Sequence, residues 1–220
     1  MTNLSEHAYS ELKRKIISGE YAPGTKMREE HLAKEMNVSR TPVRTALSRL
    51  VDEKLLVLKG RTPVIASWAS WDILEVFELR IMLEAHGAGL AAERASQQEL
   101  DAMHALNEKM QAAIDDDLDA EARILRIQEI NNDFHHCVLD ASHSGRLKEM
   151  LNTYLDVPMI VGSFYFYSEQ ELRSSLEHHR QIHQAIGLRD RNLAEQAMRT
   201  HIMASMVRHK ERISKSPAQP

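Results

Sequence analysis

At 220 residues the chain is long enough for one large domain or two ordinary ones. It is 43% hydrophobic and 27% charged, an ordinary globular balance, and no apolar run approaches the ~20 residues that a membrane-spanning helix needs. The net charge of −4 argues against a nucleic-acid partner until it is apportioned: residues 1–67 hold 12 Lys+Arg against 8 Asp+Glu, leaving 16 and 24 of the totals of 28 and 32 for the remainder. A basic N-terminal third on an acidic body is the electrostatic footprint of a DNA-binding module joined to something else.

In chain order, Ala8, Leu12, Lys15 and Ile16 recur at helical spacing after Ser5, predicting a helix over 5–18. Gly19-Glu20-Tyr21-Ala22-Pro23-Gly24-Thr25 breaks it. Leu32, Ala33 and Met36 carry a short helix over 29–36, and Val43, Ala46, Leu47 and Leu50 a second over 40–52, with Asn37-Val38 as the turn between. Two short helices on a tight turn read as a helix-turn-helix, whose second helix enters the major groove N-terminus first. Ser39 stands at its N-cap and Pro42 in its first turn, where a missing N–H does no harm. Leu55-Leu56-Val57-Leu58 and Val64-Ile65-Ala66 flank a Gly60 turn and predict a hairpin, with Lys59 and Arg61 at its tip facing DNA backbone or minor groove. Helix, two helices and hairpin make a winged helix. Beyond residues 68–71, strand signals vanish. Helices are predicted over 71–94, 97–115, 120–141, 145–163, 168–187 and 191–213, followed by a Ser/Pro-rich disordered tail.

Arg40 and Arg44 lie one turn apart and project from one helix face, where an arginine can pair bidentately with guanine O6 and N7. Arg49, at the far end of that helix, is read as a solvated arginine, and Arg28 as a further cation near the DNA. Cys137 is the sole cysteine, so no internal disulfide or multi-cysteine metal site forms. With no basic-then-apolar segment at the N-terminus, this predicts a reducing, cytoplasmic location. Twelve histidines is a high number. Asn131 and His135 share one helix face, while His179 and His201 lie on two later helices. Spacing alone leaves these open, since a helical histidine is commonly solvated or hydrogen-bonded. His136, His178 and His183 compete for the same part, and His183 shares a face with His179.

The chain resembles a GntR-type transcription regulator of the FadR/FCD branch. The resemblance rests on Gly19-Glu20-Tyr21-Ala22-Pro23-Gly24, Leu32-Ala33, Val38-Ser39-Arg40-Thr41-Pro42-Val43-Arg44 and Ala46-Leu47-Ser48-Arg49-Leu50. In the C-terminal half it rests on Glu78-Leu79-Arg80 with Leu83-Glu84, Phe134-His135, Glu177-His178-His179-Arg180, Arg189-Asp190 and Ala197-Met198-Arg199-Thr200-His201-Ile202. It implies a mainly α fold: a winged helix-turn-helix over 1–67 (three helices plus a β-hairpin wing), a linker over 68–74, an all-helical antiparallel bundle over 75–213 and a tail over 214–220. It also implies a cytoplasmic homodimeric repressor on a double-stranded DNA operator with an inverted repeat. Ser39 and Thr41 match hydroxyls that hold phosphates. Asn131, His135, His179 and His201 match a metal site for a divalent transition ion, with zinc first and nickel, manganese, iron or cobalt as alternatives. The common first ligand in the family is Asp, so Asn131 departs from the pattern, and Asp133 lies about 200° around the helix from it. Arg80 matches an arginine that lines the pocket of a small carboxylate effector, although it also stands four residues from Glu84 for an intrahelical pair. Apart from the resemblance, Tyr154, Tyr165 and Tyr167 either supply hydroxyls to such a pocket or simply pack. The rival readings are a regulator stapled by its metal with no effector, and a metal-dependent hydrolase or lyase. No His-Glu-x-x-His signature supports the last, so no enzyme is expected.

Overall fold

The computed structural model describes residues 4–17, 20–66, 70–116, 120–155, 164 and 167–215, with the side chains of 70–72, 121, 152–155 and 212–215 outside the description. Among the described residues there are nine helices and one two-stranded antiparallel sheet, in two compact units divided between Ala69 and Ser70.

The first unit holds α1 (Leu4–Ile17), α2 (Glu29–Glu35), α3 (Arg40–Asp52), β1 (Leu56–Lys59) and β2 (Thr62–Ile65). Its core is one stripe from each element: Ala8, Tyr9, Leu12 and Ile16 of α1, Leu32 and Ala33 of α2, and Val43, Ala46, Leu47 and Leu50 of α3. Tyr9 belongs to that stripe, and Lys15 leaves it to pair with Glu35 at 2.6 Å. Asn37 adopts φ 53° in the turn between α2 and α3, a left-handed conformation that Asn tolerates because its short side chain can hydrogen-bond locally. β1 and β2 pair from Leu56↔Ile65 to Lys59↔Thr62 around Gly60-Arg61, with Gly60 at φ 67°. Glycine at the first position of a two-residue hairpin loop matches the right-handed twist of the strands. Residues 24–27 run beside β2 as well: Met27 N–H donates to Pro63 O at 2.9 Å and Ile65 N–H to Thr25 O at 3.0 Å. This edge is absent from the sequence expectation because Gly24 and Pro23 signal only a break.

The second unit holds α4 (Ser70–Arg94), α5 (Gln97–Asp115), α6 (Ala120–Ala141), α7 (Gly145–Leu155), α8 (Glu169–Gly187) and α9 (Arg191–Lys215). α4 begins inside the segment expected as a linker, because Ile73, Val76 and Phe77 already form its buried stripe. The helix expected over 145–163 is described only to Leu155, and the expected tail lies outside the described residues from 216. Ser96 and Ser168 close capping boxes with Glu99 and Glu171, which fixes where α5 and α8 start. Arg189, at φ 60°, turns the chain between α8 and α9 and donates to Ala95 O at 2.6 Å, while the Asp190 carboxylate accepts from Leu193 N–H at 3.0 Å. α4 packs most heavily against α9, and α5 lies between α6 and α8. No helix among the described residues is long and apolar enough to cross a membrane.

Candidate DNA interface and metal centre

α3 buries Pro42, Val43, Ala46, Leu47 and Leu50, so its other face turns Ser39, Arg40, Thr41 and Arg44 to solvent. Ser39 occupies the N-cap in extended backbone (φ −73°, ψ 168°), but its side chain makes no capping hydrogen bond. The expected cap is therefore a matter of backbone only. A groove beside this face is lined by Arg28, Glu29, Glu30, Arg40 and Arg44 and closed by Arg61 from the wing. Lys59 is exposed at the end of β1.

Each recognition-helix arginine already has an acidic partner. Arg44 donates through Nε to Glu29 Oε1 at 2.9 Å and through Nη2 to Glu29 Oε2 at 2.8 Å. Arg40 donates through Nη1 to Glu30 Oε1 at 2.8 Å and through Nη2 to Glu29 Oε2 at 3.3 Å. The Arg44 hydrogen bonds lead in holding the Glu29 carboxyl below its ordinary value. Arg49 is occupied differently: its guanidinium lies 3.6 Å above the Tyr9 ring and donates to Glu6 and Glu53. It ties α3 to α1 while staying solvent-exposed, as the sequence reading expected, so its contacts add packing to a solvated arginine.

In the second unit, His135 of α6, His179 of α8 and His201 of α9 converge, one ligand nitrogen from each lying within 4.8 Å of the others. All three are buried. Phe134 stacks on His179 at 4.0 Å between ring centroids and 7° between planes, because its place beside His135 on α6 carries it to α8. Glu84 of α4 accepts from Arg80 Nε at 2.5 Å through Oε1 and meets His135 Nδ1 at 2.5 Å through Oε2. With its proton on Nδ1, His135 turns the lone pair of Nε2 toward His201 Nε2, 3.1 Å away. Burial alone would raise the Glu84 pKa, but Arg80 and His135 outweigh it and hold the group at about 2. Burial, then the neighbouring imidazoles, push His179 and His201 well below the ordinary histidine value. Both are neutral at pH 7, the form that ligates metal.

Both His179 nitrogens, His201 Nδ1 and Asn131 Oδ1 are buried with no hydrogen-bond partner among the described residues. Leaving a buried polar group unsatisfied costs about 1–3 kcal/mol, so the cluster fits a bound cation better than it fits an empty core. Three converging imidazoles suit a divalent transition ion with open positions. Of the competing side chains, His183 stacks on His104 at 5.8 Å, Asp133 is exposed, and His178 meets His201 edge-on at 5.8 Å while remaining half-buried. Cys137 is half-buried, and burial followed by Asp140 pushes its thiol up to about 11. Arg80 is buried and engaged by Glu84, the intrahelical pair that the sequence had left open. The Tyr154 side chain lies outside the described residues. Sequence reasoning missed Glu84 as the link between Arg80 and His135. Its only signal was an acidic residue on a buried helix face, one turn from an arginine.

Two family models match: "Bacterial regulatory proteins, gntR family" over residues 4–65, and "FCD domain" over residues 75–204. The HTH-type transcriptional regulator YdhC of Bacillus subtilis is 28% identical across 88% of this chain and 85% of its own length. The HTH-type transcriptional repressor GlaR of Escherichia coli is 27% identical across 92% of this chain and 94% of its own. The solved structure of E. coli McbR/YncC shares the fold at a TM-score of 0.66, with 24% identity, covering 97% of this chain and 100% of that one. These relatives are transcription regulators and not enzymes, and this chain belongs with them, as a GntR-family DNA-binding regulator with an FCD domain at its C-terminal end.

Proposed function

We propose that the chain is a homodimeric, cytoplasmic repressor whose operator affinity is set by a small carboxylate bound at a metal centre in the helical unit. Residues 1–67 form the DNA-binding part and 75–213 the sensing part. Arg44 and Arg40 read base edges or flanking phosphates. Ser39, Thr41 and Arg28 hold phosphates and set register, and Lys59 and Arg61 touch the backbone from the wing. Two copies place two recognition helices on a two-fold symmetric site with an inverted repeat.

One observation carries the sensing half: three buried imidazoles converge, and three of their nitrogens have no partner among the described residues. His135, His179 and His201, with Asn131 one turn before His135, would hold a divalent transition ion. Such an ion supplies Lewis-acid positions for an anionic ligand. Glu84 orients His135 by accepting a hydrogen bond from its Nδ1–H. Arg80, whose Nε is engaged by Glu84, supplies the positive charge that a ligand carboxylate would meet.

Elemental mass spectrometry of the purified protein tests this, beside a His135→Ala/His179→Ala/His201→Ala variant. About one ion per chain, lost in the variant, is the expected result. Small carboxylates should then raise the melting temperature of loaded protein only. If they leave it unchanged while metal is present, the ion is a staple with no effector. No metal in either protein after reloading overturns the metal centre.

A further inference from the structure

The acids beside the recognition helix have no part in the reading above, and their geometry treats the two arginines differently. A guanidinium carries five N–H donors in a planar fork. Glu29 takes the Nε and Nη2 side of Arg44, at 2.9 and 2.8 Å. That leaves the Nη1/Nη2 end of Arg44 open, the pair of donors that spans O6 and N7 of a guanine. Arg40 is held the other way round. Its Nη1 and Nη2 both go to acids, Glu30 at 2.8 Å and Glu29 at 3.3 Å, so each terminal nitrogen already holds a carboxylate. Glu29 opens α2, the helix before the turn, and is less exposed than either arginine, so it forms the inner wall of the groove.

We propose that Glu29 is a specificity-determining positioning residue, which buttresses Arg44 side-on so that its forked end faces a guanine, and with Glu30 keeps Arg40 from binding phosphate indiscriminately. This rests on the reading that Arg44 meets a base edge. A restrained guanidinium loses less side-chain freedom on pairing with one base geometry. Two carboxylates beside the phosphate-facing surface also oppose the sequence-independent attraction that otherwise dominates binding to any duplex. Both effects widen the gap between the right sequence and the wrong one.

The test uses the full chain and a duplex that it selects from a random library, against a scrambled duplex, by fluorescence anisotropy. Glu29→Ala should weaken the selected duplex about tenfold, within the range of one bidentate base contact, and tighten the scrambled one about threefold. Glu29→Gln, which keeps length and helix propensity, should fall between. Glu30→Ala should tighten both duplexes alike. In an Arg44→Ala background, Glu29→Ala should no longer weaken the selected duplex. Equal tightening of both duplexes by Glu29→Ala overturns the proposal, since charge alone would then explain it. Equal weakening of the selected duplex with and without Arg44 also overturns it, since Glu29 would then touch DNA itself. Selected-duplex affinity unchanged by Arg44→Ala overturns the base-reading role of Arg44 as well, which separates that failure from failure of the buttress alone.

Discussion

The recognition helix and the imidazole cluster handle polar groups in opposite ways. On α3, Arg40 and Arg44 are exposed, and each is partnered by a carboxylate from the preceding helix. In the bundle the imidazoles are buried, and several of their nitrogens have no partner. An exposed ion pair is worth little to stability, so the first arrangement suits a surface where Arg40 trades protein contacts for DNA contacts while Glu29 keeps the side of Arg44 that a base does not need. A buried unsatisfied donor or acceptor is costly, so the second suits a place built around something not encoded in the chain. The difference teaches where each ligand's share of the stability lies: outside the fold for DNA and, on the function proposed above, inside it for a cation.

The largest effect should come from the buried side. Glu84→Ala strands the Arg80 guanidinium in the core and frees His135 Nδ1, and breaking a buried pair costs about 3–5 kcal/mol. Urea denaturation measures it. A loss under 1 kcal/mol would mean that water reaches Arg80 and that the contrast with α3 is weaker than drawn. Arg44→Ala should come next, weakening a selected duplex by up to about 100-fold, from the 1–3 kcal/mol of one bidentate base contact. Its melting temperature should hold, because the side chain packs against nothing in the core. Unfolding of this variant would erase the distinction between a trading surface and a structural one.

Smaller effects sharpen the same line. Ser168→Ala removes half of a capping box at the start of the helix that carries His179, and should cost about 1 kcal/mol of stability with DNA affinity unchanged. Arg49→Ala should cost about 0.5–1 kcal/mol through the lost stack on Tyr9, and leave DNA affinity within about twofold. A large loss of affinity there would place Arg49 on the DNA face.

How legible each region was follows from how far apart its residues lie in the chain. Ser39, Arg40, Thr41, Pro42 and Arg44 share one turn and a half of helix, so local spacing and capping chemistry announce them. The hairpin was equally plain, because Gly60 between two β-favouring runs admits few alternatives. The third edge formed by residues 24–27 was not, since its hydrogen bonds are to β2 and the local residues signal only a turn. His135, His179 and His201 come from three helices, and no short window contains two of them, so family resemblance and not periodicity gathered them. Glu84 was harder still. Its role depends on α4 meeting α6, and its nearest sequence neighbour of opposite charge, Arg80, pointed to an ordinary intrahelical pair.

The stack of Phe134 on His179 has a spectroscopic consequence. A phenyl ring lying 4.0 Å from the imidazole and nearly parallel to it shields the carbon-bound protons of that imidazole. In a proton NMR spectrum those resonances should sit upfield of the other eleven histidines and move when either ring shifts. One aromatic pair thus gives the bundle an internal reporter, readable without a label, in the same side chain whose nitrogens the fold leaves unsatisfied.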